Sequence, residues 1–280
     1  MEFSIASYSF HLLLRDGKQD MFKYITDCKE FGCAYLDPWN GHLASLVQES
    51  DAIKAGTDPL QVKFSPNGID YAKRVKAAAE SAGLPFSCLA IDGAHIYEPT
   101  PEQRAINRAA SHRWLEIAVI LGAEYMRIDT GGDTSMTNEQ FDVIVAGYND
   151  LIKRARDAGV KIILENHWGA SRSAENVVKL LKAIDGLALL FDTNNFLPEN
   201  LEQSWLLCAP YARSVHIKTF EFDENGSDPT VDIPKAIRIL IEAGYKGCWG
   251  IESSPRDGDE YGAIPKTMAL IKRSVEAVKQ

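Results

Sequence analysis

Six times along the chain a helix-period segment stops at a glycine, and within a few residues a short apolar run begins. The glycines are Gly32, Gly83, Gly122, Gly159, Gly186 and Gly244. Glycine ends a helix in the left-handed conformation at little steric cost, so this beat reads as helix, turn, strand. The runs that follow are CAYLD (33–37), LPFSCLA (84–90), AEYMRID (123–129), VKIILEN (160–166), LALLFDT (187–193) and YKGCWGIES (245–253). FSIASYS (3–9) and ARSVHIKTF (212–220) complete a set of eight expected strands. Amphipathic stretches such as PEQRAINRAASHRWLEIAVILG lie between them and are long enough to be crossover helices. Eight strands alternating with helices over 280 residues match a (β/α)8 TIM barrel in the α/β class. An open doubly wound sheet is the competing architecture, and no G-x-G-x-x-G follows the first run to support its dinucleotide-binding form. No linker or low-complexity tract divides the chain, so one domain over residues 1–280 is expected.

Composition narrows the function. Hydrophobic residues are 45% and charged residues 25%, ordinary for a globular protein. No apolar run reaches the roughly 18 residues that span a bilayer, and MEFSIASYSF lacks a basic n-region. The expectation is a cytoplasmic protein with no membrane partner. Five scattered cysteines without a C-x-x-C pair suit reduced thiols rather than a disulfide framework or a structural zinc site. A formal charge of −9 and no basic run with interleaved aromatics argue against nucleic acid. A small-molecule substrate fits better.

Active sites of parallel barrels are built where strands end at their C-termini. Four successive runs end in ionisable groups there: Glu165, then Asp192, then His216 with Lys218, then Glu252. Strand side chains alternate, so Glu165 and His167 share a face, as do His216 and Lys218. Any one acid after a strand is as readily a helix N-cap or a surface residue; four in succession are harder to dismiss. Three carboxylates and an imidazole brought together repel unless a positive charge joins them. A divalent cation supplies it, and three oxygen donors with one nitrogen suit Mn²⁺, Mg²⁺ or Co²⁺ better than zinc. Trp39 and Trp168 stand just beyond two runs, as sugar-stacking faces or as packed loop residues. Arg127 with Asp129 reads as a structural ion pair or, as the second reading, as lining of the mouth, while Asp37, His42, Asp92 and His95 follow two of the runs within reach of a substrate, in loops too long to place. Lys218, Arg172 and Arg256 can meet a phosphate, yet no glycine-rich anion cradle is evident, which favours an unphosphorylated substrate.

At these residues the sequence resembles the xylose isomerase-like TIM-barrel superfamily, in particular its sugar phosphate isomerase/epimerase branch. LEN, FDTNNF, VHIKTF, GIES and WLEIAVILGAEYMRIDTGG carry the resemblance, together with Glu, Asp, His and Glu separated by 27, 24 and 36 residues. The resemblance implies that Glu165, Asp192, His216 and Glu252 bind the metal, with Mn²⁺ expected. It also implies that Glu165 and Glu252 are the catalytic acid/base pair of a sugar isomerase or epimerase working through an enediolate. Characterised epimerases often carry histidine three residues after the metal aspartate, whereas Asn195 stands here and cannot titrate near neutrality. His167, Asn195, Lys218, Trp168 and Trp39 are the expected substrate contacts.

The alternative within the same chemistry is a lyase acting on an inosose or a 3-keto-glycoside. Apurinic endonucleases share the barrel but use many histidines, and this chain has 6. A non-catalytic sugar-binding barrel is the remaining alternative. Oligomers are common in the superfamily, so a homo-oligomer is compatible with the resemblance.

Overall fold

In the computed structural model, which describes residues 1–54 and 63–279, the apolar runs become short parallel strands. They are β1 (Phe3–Ile5), β2 (Cys88–Ile91), β3 (Tyr125–Ile128), β4 (Lys161–Glu165), β5 (Ala188–Asp192), β6 (Ala212–Thr219) and β7 (Trp249–Ser253). The sheet runs in the order β1-β7-β6-β5-β4-β3-β2 with every pairing parallel. The glycines Gly32, Gly83, Gly122, Gly159, Gly186 and Gly244 all have positive φ, as helix-ending positions require.

The chain departs from the eight expected strands at 33–37. No ladder joins β1 to β2; the seam is filled by residues 34–39 through isolated bridges from Ala6 to Asp37, Leu36 to Phe86 and Trp39 to Ala90. Pro38 and Pro85 explain the irregularity, because neither offers the N–H that a continuous ladder needs. The strand position is nonetheless filled. Backbone bonds run from Ala34 N to Phe3 O and from Ser7 N to Asp37 O on one side. Leu36 N to Pro85 O and Ala90 N to Pro38 O hold the other side. Tyr24, on the helix Met21–Glu30, locks the seam from behind. Its buried hydroxyl donates to Ile5 O at 2.6 Å and accepts from Asp37 N at 2.8 Å. The barrel is thus closed.

Crossover helices cover the outside, among them Pro66–Ala82, Pro101–Leu121, Asn138–Asp157 and Ala174–Ala183. Their N-caps are Ser65, Thr100, Thr137 and Ser173, each accepting a backbone N–H of the first turn. The helix Glu260–Val278 closes the ring against β7. One large apolar core lies between helices and sheet. A second, small cluster of Cys88, Ile163 and Leu190 sits inside the barrel. Alternation then places Glu165 above Ile163 and Asp192 above Leu190, so the interior plug is the floor of a polar mouth.

His42, just past the seam, is 1% exposed, and neither ring nitrogen has a hydrogen-bond partner. Its ring packs near Tyr24 and Trp39. Burial lowers its pKa to about 4, so the folded protein holds it neutral where the unfolded chain binds a proton. The stability this contributes is present above the unfolded value near 6.5 and is lost as pH falls toward 4. Urea unfolding of the wild type and of His42→Gln between these limits measures it. The wild type is expected to lose up to about 3 kcal/mol more than the variant; equal losses exclude the effect.

Candidate active site

The C-terminal ends of the strands surround a cavity of about 410 Å³. Tyr8, Asp37 and Trp39 line it from the seam side, Arg127, Glu165 and His167 from β3 and β4, and His216, Lys218, Phe220 and Glu252 from β6 and β7. Glu165, Asp192, His216 and Glu252 are all buried and offer donor atoms that lie within 4.8 Å of one another. The sequence's four residues therefore meet, three of them on the cavity wall and Asp192 behind it.

Neighbouring polar side chains fix each of the four. Asn166 makes a backbone-like double contact with Asp192, donating to its carbonyl and accepting from its N–H, both at 2.9 Å. Asp192 Oδ1 accepts the N–H groups of Asn194 and Asn195, which leaves Oδ2 buried without a hydrogen bond. Thr193 N donates to His216 O, and Thr193 Oγ1 accepts from Lys218 N, stitching β5 to β6 at the site. His216 Nε2 lies 3.1 Å from Asp37 Oδ2. An ionised carboxylate only accepts, so Nε2 carries the hydrogen and Nδ1 faces the carboxylates. Nδ1 is 2.9 Å from Glu252 Oε2 and 3.7 Å from Glu165 Oε1, yet no hydrogen bond satisfies it.

Two buried donor atoms, Asp192 Oδ2 and His216 Nδ1, thus lack hydrogen-bond partners beside two carboxylates. This is the arrangement a divalent cation satisfies, and the residues present fit one. Electrostatics agree. Burial opposes a charged His216, but Asp37, Glu165 and Glu252 raise its pKa well above the usual histidine value. Burial pushes Asp192 up to about 6, with Glu252 and Glu165 adding to the shift and Lys218 opposing it. Without a dication, protons are drawn to Asp192 and His216 in the buried site.

Arg127 is the hub of the opposite wall and is 4% exposed. Its Nη1 donates to Asp129 Oδ2 at 2.6 Å, its Nη2 to Asp92 Oδ1 at 3.0 Å, and its Nε lies 3.4 Å from Glu165 Oε2. The two tryptophans hang from the same carboxylates. Trp39 donates its indole N–H to Asp92 Oδ2 at 2.7 Å, and Trp168 donates to Asp129 Oδ2 at 2.9 Å. Trp39 lines the cavity; Trp168 is 39% exposed and edge-on to His95. His167 Nδ1 also reaches Asp129 Oδ2, at 3.1 Å. Burial opposes its protonation, but Glu165 and Asp129 lift its pKa to about 9, so it is cationic at neutral pH. Asp92, Asp129 and His167 form a second group with metal-compatible spacing, but arginine and indole donors already occupy its carboxylates.

Asn195 bridges the walls, donating to Glu165 Oε1 and accepting from Lys218 Nζ, each at 3.2 Å. Of the sequence-derived site residues, Trp39, Glu165, His167, His216, Lys218 and Glu252 line the cavity, and Asp192, Asn195 and Trp168 contact lining residues or their partners. Sequence reasoning left Asp37 and Asp92 unplaced, favoured pairing over cavity lining for Arg127 and Asp129, where Arg127 does both, and passed over Tyr8, Asn166 and Phe220. Tyr8 follows Ala6 by two residues, and both line the cavity, so alternation carried past the first strand was the available signal. Arg172 and Arg256 lie outside the cavity lining, and Arg256 pairs with Glu221.

Replacing Arg127 by leucine leaves Asp129 and Asp92 without their shared cation. Denaturant unfolding is expected to show a loss of about 3–5 kcal/mol, with Arg127→Lys losing less. A change within 0.5 kcal/mol for the leucine variant, roughly the surface-substitution range, excludes the hub.

Sequence likeness to curated proteins is confined to short stretches. A C-glycoside deglycosidase alpha subunit from Arthrobacter globiformis is 29% identical over 94 residues, 31% of this chain and 26% of that protein. A second alpha subunit from the same species is 38% identical over 78 residues, 28% of this chain and 19% of its own length. In both cases the matched part is less than two thirds of the relative. Solved structures are alike over nearly the whole chain. An L-ribulose 3-epimerase superposes with a TM-score of 0.74 at 14% identity, over 100% of this chain and 96% of that one. The 3-keto-D-glucoside 4-epimerase of E. coli gives 0.69 at 15% identity, over 91% and 95%. At such identities the likeness establishes the barrel. The sequence profile of one family matches residues 25–277, and the chain belongs to that family, the xylose isomerase-like TIM barrels.

Proposed function

We propose that the protein is a divalent-metal-dependent isomerase or epimerase of an unphosphorylated ketose or keto-sugar, transferring a proton at the carbon beside the carbonyl. The observation that supports this most is the placement of Glu165 and Glu252. Both are buried, both face the cavity, and they stand on strands separated by β5 and β6, near one imidazole nitrogen. Such a pair can reach a bound sugar carbon from two sides.

A divalent cation held by Glu165, Asp192, His216 and Glu252 supplies Lewis acidity toward a carbonyl and its neighbouring hydroxyl. Mn²⁺ is the expected ion, on the oxygen-rich donor set. The side chains manage the proton. Burial opposes ionisation of Glu165, but His167, His216 and Arg127 hold it below the usual carboxylate range. Burial likewise opposes ionisation of Glu252, and Lys218 with His216 holds it well below that range. Both are therefore bases at neutral pH. Either can take the proton from the substrate C–H; the other, once it has taken up a proton from solvent in the cavity, returns that proton from the opposite side, which inverts the centre. Asn195 holds Glu165 and Lys218 at their spacing, and Trp39 and Trp168 offer aromatic faces to sugar C–H groups. Arg127, Lys218 and His167, the cations other than His216 that line the cavity, all have carboxylate partners, which favours a neutral ligand over a phosphate.

The likeness to C-glycoside deglycosidase alpha subunits favours a second reading, elimination from a keto-glycoside. It begins with the same proton abstraction, and the cationic His167 facing the cavity can protonate the departing group.

Incubating ketoses, inososes and 3-keto-glycosides in D₂O, with Mn²⁺-loaded and EDTA-stripped protein, tests both by mass spectrometry. Metal-dependent deuterium uptake without loss of a group is the expected result, and release of water or an aglycone selects elimination. Glu165→Gln is expected to slow the exchange by roughly 10²–10⁴-fold. No exchange by loaded wild type with any compound of the three classes counts against proton-transfer chemistry.

A further inference from the structure

Lys218 is 9% exposed and stands among the cation donors. It faces Glu252 in the β6–β7 register, and its ammonium is 2.5 Å from Glu252 Oε1 and 3.6 Å from Asp192 Oδ2. Among the described residues, its one uncharged side-chain partner is Asn195 Oδ1, at 3.2 Å. Lys218 thus bears on two of the four residues that would hold a dication, on the side that opens to the cavity. A dication and this ammonium cannot both stay at such distances from the same oxygens without strong mutual repulsion. Removing the ammonium with no cation present leaves buried carboxylates facing one another, which is also costly.

We propose that Lys218 is the internal counter-cation of the site: it neutralises Asp192 and Glu252 when no metal is bound and gives way into the cavity when one enters. The inference rests on the cation site described above. It accounts for a lysine that lines the cavity while its charge is already matched by two buried carboxylates. Metal entry then exchanges one positive charge for another and turns a buried ammonium toward whatever the cavity holds.

The test uses full-length protein stripped with EDTA and titrated calorimetrically with Mn²⁺ alone. Lys218→Met is expected to bind Mn²⁺ about tenfold or more tightly than the wild type and, while stripped, to melt at a lower temperature. Lys218→Arg is expected to stay near the wild type in both. Lys218→Gln serves in place of the methionine variant should that one fail to fold. Acetylation of Lys218, followed by peptide mass spectrometry, is expected to rise when Mg²⁺ is added to the wild type. Unchanged or weaker Mn²⁺ binding by the neutral variant overturns the proposal, as does acetylation that ignores Mg²⁺. Asp192→Asn separates the two levels. If it abolishes wild-type Mn²⁺ binding while Lys218→Met binds no tighter, only the counter-cation role fails. If the wild type binds no Mn²⁺, the cation site fails with it.

Discussion

Three carboxylates buried together in the mouth of an apolar barrel set the terms for everything around them. Glu165, Asp192 and Glu252 are each below a tenth exposed, and desolvation alone would keep them protonated. The fold answers with positive charge delivered on neighbouring strands: Arg127 on β3 for Glu165, and Lys218 on β6 for Asp192 and Glu252. His216, placed between them, draws a proton for the same reason. The compensation is incomplete at Asp192 Oδ2 and His216 Nδ1, a residual demand consistent with a divalent cation site.

The precision of the site comes from where its residues stand. All four are on strands, with Glu165 and Asp192 one alternation step above the apolar floor, so their directions are fixed by the pleat rather than by loop conformation. A second layer then trims them. Asn166 and Thr193 continue the β4–β5–β6 bonding with side chains where the backbone ladder ends. Asp37 sets the imidazole face from the irregular seam. Gly250 matters for a different reason: a Cβ there would lie 2.3 Å from Val215 O and 3.0 Å from His216 Cδ2, so only glycine lets β7 approach the histidine this closely.

Glu165, Asp192, His216 and Glu252 were legible in the sequence because each ends a short apolar run in a period-two element, and because barrels place such ends on one rim. The same logic paired His167 with Glu165 and Lys218 with His216. It failed at the seam, where Pro38 and Pro85 remove the donors that make a strand regular; Asp37 therefore read as an unplaced loop acid although it orients the histidine. Arg127 was read correctly as a partner of Asp129, but its wider reach was not legible. Its partners come from 92, 129 and 165, and no local pattern reveals that one guanidinium serves three carboxylates on separate segments. The tryptophans were seen as faces, but their N–H bonds to Asp92 and Asp129 make them struts as well.

Those struts bear on how one barrel accommodates related reactions. Proton abstraction beside a carbonyl needs only what the floor and its four strands hold, and isomerisation, epimerisation and elimination can share it. What differs is the fate of the electrons that abstraction releases, and that is decided at the mouth. A centre inverts only if a second acid/base waits across the substrate, which is the position of Glu252 relative to Glu165 in the proposed reading. In the elimination reading a nearby proton donor assists the departing group, and His167, held cationic by Glu165 and Asp129 on the Arg127 wall, would be that donor. Asn195 lies between these outcomes: an amide tying Glu165 to Lys218 can orient but cannot donate a titrating proton. The choice of reaction therefore turns on which side of the cavity the substrate's leaving group faces, toward Glu252 and Lys218 or toward His167.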